Sequence, residues 1–135
     1  MATPSPRDVR PDPEAAALKV PPHSIEAEQS VLGGLMLDNA AWDQVADLVS
    51  EADFYRYAHR LIFRAVGALA EQNNPFDVVT LSSWLRDRGE LEPAGGLAYL
   101  GELAANTPSA ANIKAYATLV RESSVLRDLI RVAGE

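Results

Sequence analysis

The sequence predicts an all-α fold: a compact bundle of about six helices, with the last one extending past the others. Three observations carry that prediction. Apolar residues recur at helical spacing, and the one short apolar run that could suggest a strand, Val78–Leu81, is too short to decide. The periodic segments are separated by turn and cap chemistry at Asp38-Asn39, Glu51-Ala52-Asp53, Asn73-Asn74-Pro75, Gly89 through Gly96 and Asn106-Thr107-Pro108. The first helix also has a marked start. Pro21-Pro22 cannot lie inside a helix, Ser24 can cap the free N–H groups, and Glu26 and Glu28 put negative charge in the first turns, where the helix dipole favours it.

Helices are expected near Ser24–Asp38, Ala40–Ser50, Tyr55–Gln72, Val79–Arg88, Leu97–Ala105 and Ala110–Ala133, with Ser109 as N-cap of the last. The first is read as amphipathic, with Ile25, Val31, Leu32, Leu35 and Met36 on its core face and Gly33-Gly34 in its interior. The third offers Ala58, Ile62, Val66 and Leu69. On the fifth, Leu97, Leu100, Leu103 and Ala104 share a face, and Tyr99 falls nearly opposite with its ring expected to be exposed. It is either a binding anchor or a ring lying along a neighbouring helix. The last helix changes face. Ile113, Tyr116, Ala117 and Val120 lie on one side. Beyond Ser123-Ser124 the apolar set becomes Val125, Leu126, Leu129, Ile130, Val132 and Ala133, on roughly the opposite side. Either the helix kinks, or its second half packs on something outside the head.

Composition narrows the function. The chain of 135 residues suits one domain and a tail: residues 1–22 hold six of the nine prolines and read as flexible, 23–108 as a globular head, and 109–135 as the long last helix. With no cysteine there is no disulfide framework or thiolate metal site, and no apolar run approaches the roughly 18 residues of a membrane span. A cytoplasmic protein is the default expectation. The head carries 13 acidic against 5 basic residues, whereas the first 22 residues are neutral and the last 27 carry one net positive charge. Nucleic-acid affinity begins with Lys and Arg on phosphates, so an acidic head is better suited to a protein partner, although such a surface also serves solubility. Arg56, Arg60 and Arg64 form a ridge on the third helix that should pair with neighbouring acids.

No string of the form G-x-x-x-x-G-K-[ST] occurs, and Gly95-Gly96 reads as a turn rather than a phosphate cradle. His23 and His59 lack metal-ligand spacing; His59 is expected at the edge of the core, bonded to backbone or a carboxylate. Glu26 and Glu28 do not face each other on a helix and are no acid/base pair. Glu28 falls within the apolar stripe and calls for a cation or hydroxyl partner, while Glu26 points away and is free to meet another molecule. Trp84 reads as core or groove lining.

The strings PPHSIEAEQSVLGGLMLD from Pro21, DFYRYAH from Asp53, PFDVVTL from Pro75, GGLAYLGEL from Gly95, TPSAANIKAY from Thr107 and VRESSVLRDLI from Val120 follow one another in a familiar order and spacing. Together they closely resemble the N-terminal domain of bacterial replicative DNA helicases of the DnaB family, from about Pro21 onward. The resemblance implies a scaffolding part, without catalytic residues, cofactor or metal, of a ring-shaped hexamer. That hexamer unwinds DNA with ATP and Mg at the fork, using a motor domain outside this segment. It implies subunit pairing through a helical hairpin whose first arm is the last helix, with Val125, Leu126, Leu129, Ile130 and Ala133 as the self-association surface. It further implies docking of the primase C-terminal domain around Glu26, Tyr99 and Ile130, and an action of helicase loaders on the same collar, with little direct nucleic-acid binding. A free-standing helical DNA-binding regulator and an independent adaptor borrowing the fold are the alternatives. The acidic head, and the lack of a basic second helix in a helix-turn-helix, count against the first.

Overall fold

The computed structural model describes residues 20–134. Most of the 1–22 segment, and with it the expected flexible tail, lies outside the described residues. Among the described residues six α-helices follow in order: α1 (Ile25–Leu37), α2 (Trp42–Val45), α3 (Tyr57–Glu71), α4 (Val78–Asp87), α5 (Gly96–Asn106) and α6 (Ile113–Ala133), with 3-10 turns at Asn39–Ala41 and Glu51–Asp53. No strand occurs among the described residues.

Local chemistry sets most boundaries. Ser24 Oγ accepts the Ala27 N–H at 3.1 Å, the cap the sequence calls for, and the Asp38 carboxylate closes the turn that follows α1. Asp77 and Thr80 form a reciprocal capping box at the head of α4. Asn39 latches the segment ahead of α4: its amide donates to the Phe76 carbonyl and its carbonyl accepts the Phe76 N–H. Two boundaries depart from expectation. The helix expected over Ala40–Ser50 shortens to a 3-10 turn and the four-residue α2, with turn rather than helix from Ala46. The last helix starts at Ile113 with Asn112 as N-cap, and Ser109 Oγ only accepts the Ala111 N–H within the preceding loop.

α1 is the central element. Every residue from Val31 to Met36 is buried, so this helix is apolar nearly all round over two turns rather than amphipathic. α3, α5 and α6 pack about it. Leu61, Ile62 and Val66 come from α3, Leu100 and Leu103 from α5, and Ile113, Ala117 and Val120 from α6; Leu81 and Leu85 of α4 and Phe54 and Phe76 from the connecting segments belong to the same core. Gly33 permits the closest approach: a Cβ there would stand 2.5 Å from the Leu103 carbonyl of α5. Leu97, expected on the core face of α5, is exposed instead.

α6 is one continuous helix, with no break at Ser123-Ser124. Its inward face continues past Val120 as polar contacts. Ser124 Oγ donates to Asp53 Oδ1 at 2.8 Å and Arg121 Nη1 to the same atom at 2.9 Å. Arg127 donates to the Pro22 carbonyl at 2.8 Å and to the Asp53 carbonyl at 2.7 Å. Asp53 is buried, and its other carboxylate oxygen caps the Ser50 N–H. Outward, Val125, Leu126, Leu129, Ile130 and Val132 are exposed, from 39% at Val125 to 60% at Leu129, as is Ala133.

The arginine ridge of α3 is largely committed to local partners. Arg64 forks onto Glu51 and reaches Glu90, and the Glu51 hydrogen bond and charge raise the guanidinium's pKa. Arg60 donates to the Phe54 and Tyr55 carbonyls. Trp84 is half-buried under the Arg88 guanidinium, beside a shallow groove with Leu69, Pro75 and Val79.

Candidate functional site

A pocket of about 240 Å³ opens between α1 and α5. Glu26, Gln29 and Ser30 line it from α1, and Tyr99, Glu102 and Asn106 from α5. Two of the residues singled out in the sequence, Glu26 and Tyr99, therefore meet in one site. The helical register places them there: Glu26 stands in the first turn of α1 on the face that carries Gln29, Ser30 and, two turns on, Gly33 against α5, and Glu102 lies one turn beyond Tyr99. Ile130 does not line the pocket. It belongs to the exposed outer face of α6.

Tyr99 is not the free ring expected from the helical wheel. It is half-buried and its hydroxyl is bonded twice. Gln29 Nε2 donates to it at 3.1 Å, and His59 Nε2 lies 2.6 Å from it, the two rings nearly parallel with centroids 5.9 Å apart. Gly95, in the left-handed region at φ 108°, makes room: a Cβ there would stand 2.6 Å from the tyrosine ring.

Behind Tyr99 the polar chain runs inward. His59 is fully buried rather than at the core's edge, and its Nδ1 lies 2.7 Å from Glu28 Oε1. Glu28 is itself buried and accepts the Tyr55 N–H at 2.6 Å and the Arg56 N–H at 3.4 Å. The expected partner of Glu28 is thus an imidazole together with two backbone donors. An acceptor-only carboxylate fixes the proton on Nδ1, so the neutral ring presents Nε2 as an acceptor to the Tyr99 hydroxyl. The order Glu28–His59–Tyr99–Gln29 satisfies every member, as a buried polar network must. Sequence reasoning missed this chain. Its directly bonded members lie up to 70 residues apart, and no spacing rule joins α1, α3 and α5.

The pocket wall is acidic and polar, with two carboxylates, two amides and a phenol oxygen. Such a surface suits a hydrogen-bond donor or a cation better than an anion. Among the described residues no group of three or more His, Asp or Glu side chains could hold a metal ion, and no helix is long and apolar enough to cross a membrane.

Comparison with known proteins agrees with the fold and the sequence blocks. The family model of the DnaB-like helicase N-terminal domain matches residues 20–122. The replicative DNA helicase DnaB of Haemophilus influenzae is 50% identical over 123 residues, which is 91% of this chain and 26% of that protein. The Geobacillus stearothermophilus DnaB is 48% identical over 115 residues, 85% of this chain and 25% of that protein. The chain spans about a quarter of the length of the curated relatives it matches. The crystal structure of the N-terminal domain of DnaB helicase from Mycobacterium tuberculosis superposes with a TM-score of 0.83 at 39% identity, over 85% of this chain and 80% of that one. A DnaB-like replicative helicase, solved with regard to its interactions with primase, superposes with a TM-score of 0.72 at 25% identity, over 82% of this chain and 26% of that one. On the family match over residues 20–122 and these relatives, the chain belongs to the DnaB-like helicase N-terminal domains.

Proposed function

We propose that this chain is the scaffolding and docking part of a hexameric, ATP-driven replicative helicase at the bacterial replication fork, and that the pocket between α1 and α5 receives the C-terminal domain of primase. The observation that carries this reading is the convergence of Glu26 and Tyr99 on one pocket, in a family two of whose solved members were studied for interactions with primase. Tethering primase there would raise its effective concentration near the emerging strand. Subunit pairing is assigned to the outer face of α6, where Val125, Leu126, Leu129, Ile130 and Ala133 are exposed, because burying each Leu or Ile is worth about 1.5–3 kcal/mol. Ile130 is on this face, so a primase that reaches both Ile130 and the pocket would bridge two subunits. Loaders would act on the same collar. The motor that binds ATP and Mg is assigned to a part of the helicase outside this chain.

Size-exclusion chromatography with light scattering, run with and without the primase C-terminal domain, tests the reading. A heavier species containing both proteins, weakened by Tyr99→Ala, is expected. Absence of any co-eluting species, or a complex indifferent to Tyr99 and Glu26, overturns the docking assignment.

A further inference from the structure

The hydroxyl of Tyr99 faces a choice that the pocket alone does not decide. Its single proton can point inward to His59 or outward to a bound partner. The structure resolves the choice for the neutral imidazole. Glu28 Oε1 holds the proton on Nδ1 at 2.7 Å, which leaves Nε2 as an acceptor 2.6 Å from the phenol oxygen. The Tyr99 proton is then committed inward, Gln29 Nε2 donates to the oxygen from the α1 side, and a lone pair remains. With Glu26 and Glu102 also lining it, the pocket then accepts hydrogen bonds. Protonating His59 inverts the arrangement. Nε2–H becomes a donor to the phenol oxygen, and the Tyr99 proton must turn to a pocket carboxylate or to the partner.

We propose that His59 is the positioning residue for partner docking: in its neutral form it holds Tyr99 as an acceptor, so that the pocket takes a basic side chain of the docking protein, and its protonation loosens that contact. The groups facing the ring support a single direction of response. Glu28 from α1 and Tyr99 from α5 bond to it. From the head of α3, Arg56 contributes its backbone N–H to the same carboxylate, and Tyr55 does so from the preceding turn. Glu26 from α1 and Glu102 from α5 line the same pocket as the phenol. An imidazolium placed behind Tyr99 also adds positive charge next to an incoming cation, so hydrogen bonding and charge both disfavour occupancy at low pH. This inference rests on the docking reading above.

The test measures affinity of the primase C-terminal domain for the whole chain from about pH 8 to about pH 5.5. Wild type and His59→Gln are compared, each checked by its thermal melt. Wild-type binding is expected to weaken about 3–10-fold toward low pH, the scale of one hydrogen bond. His59→Gln should bind with a flat profile. Equal slopes in the two proteins, or a flat wild-type profile, overturn the inference while leaving docking intact if Tyr99→Ala still weakens the complex. Should His59→Gln not fold, nitrogen NMR of the wild-type ring decides. Nε2 is expected to be unprotonated in the complex at neutral pH, with the proton on Nδ1; a protonated Nε2 there overturns the inference. No binding of wild type at any pH removes the docking reading, and this inference with it.

Discussion

Replacing Gly33 by Ala should destabilise the chain, although Ala is the better helix former. Gly33 lies inside α1 where that helix meets α5. An added Cβ would stand 2.0 Å from Thr107 Oγ1, 2.9 Å from Thr107 Cβ and 2.5 Å from the Leu103 carbonyl oxygen. Thr107 can turn its side chain away, but only by giving up the 2.9 Å hydrogen bond it donates to that carbonyl, a loss of about 1 kcal/mol. The carbonyl belongs to the α5 backbone and moves only with the helix. Overpacking of this kind costs about 1–3 kcal/mol, against a gain of about 1 kcal/mol in helix propensity. The expected net loss is about 1–3 kcal/mol. Gly101, on α5, supplies the control: its Cβ would meet nothing within 4 Å, so Gly101→Ala should stabilise by about 0.5–1 kcal/mol. Urea denaturation at unchanged slope reads both signs, and thermal melts should separate the two variants by roughly 3–6 °C per kcal/mol for a domain of this size. A Gly33→Ala variant as stable as its parent would refute the close-approach argument. So would a fall of equal size in Gly101→Ala, since propensity and space would then not be what distinguishes the two sites.

Asp53→Ala should cost about 2–4 kcal/mol in denaturant titration, because it strips Ser124, Arg121 and the Ser50 cap of one shared buried acceptor. Arg64→Ala should stay within about 1 kcal/mol of the parent, since that ion pair is 44% exposed on its Arg side; a larger loss would show that the ridge is structural. Leu129→Asp should abolish concentration-dependent self-association in light scattering while the head keeps its cooperative melt. Loss of that melt would place the outer face of α6 in the core. Tyr99→Ala should weaken primase binding by about 1–2 kcal/mol, and because the ring is half-buried and bonded to buried His59 it should also lower the melting temperature. Tyr99→Phe keeps the ring and isolates the hydroxyl; equal affinities of Tyr99→Phe and wild type would show that the hydroxyl contributes nothing to docking.

Much of the architecture was legible because local rules were obeyed in sequence. Ser24 caps α1 as its side chain and position require, and Asn73, at φ 59°, marks the turn read at Asn73-Asn74-Pro75. The change of apolar face along α6 was likewise visible from spacing, and its outer residues are exposed. What stayed hidden depends on tertiary partners. A wheel for α5 places Leu97 with Leu100, yet Leu97 is exposed, while Tyr99 is drawn inward because His59 and Gln29 are there to bond it. The head-facing polar set on α6 was missed for the same reason: Ser124 and Arg127 acquire meaning only once Asp53 and Pro22 are brought to them. The run Val31–Met36 offered a signal that could have been used, since six consecutive residues without a charge suit a central helix better than a surface one.

The placement of α6 against α1 has a consequence for how the chain acquires its structure. Ile113, Ala117 and Val120 belong to the same core cluster as Val31 and Leu35, and the Arg127–Pro22 hydrogen bond joins residues 105 apart in sequence. Contacts of such separation close slowly, because the loop entropy must be lost before they form. On a ribosome that delivers residues in order, α1 emerges early and α6 late. The apolar side of α1 that α6 will cover, with Gly34 lying under Ile113, therefore stays open until Ile113 to Val120 have emerged. During that interval the nascent head is a target for chaperones or for wrong partners. The contacts of Arg127, which bring Pro22 and Asp53 together, can close only after α6 has docked.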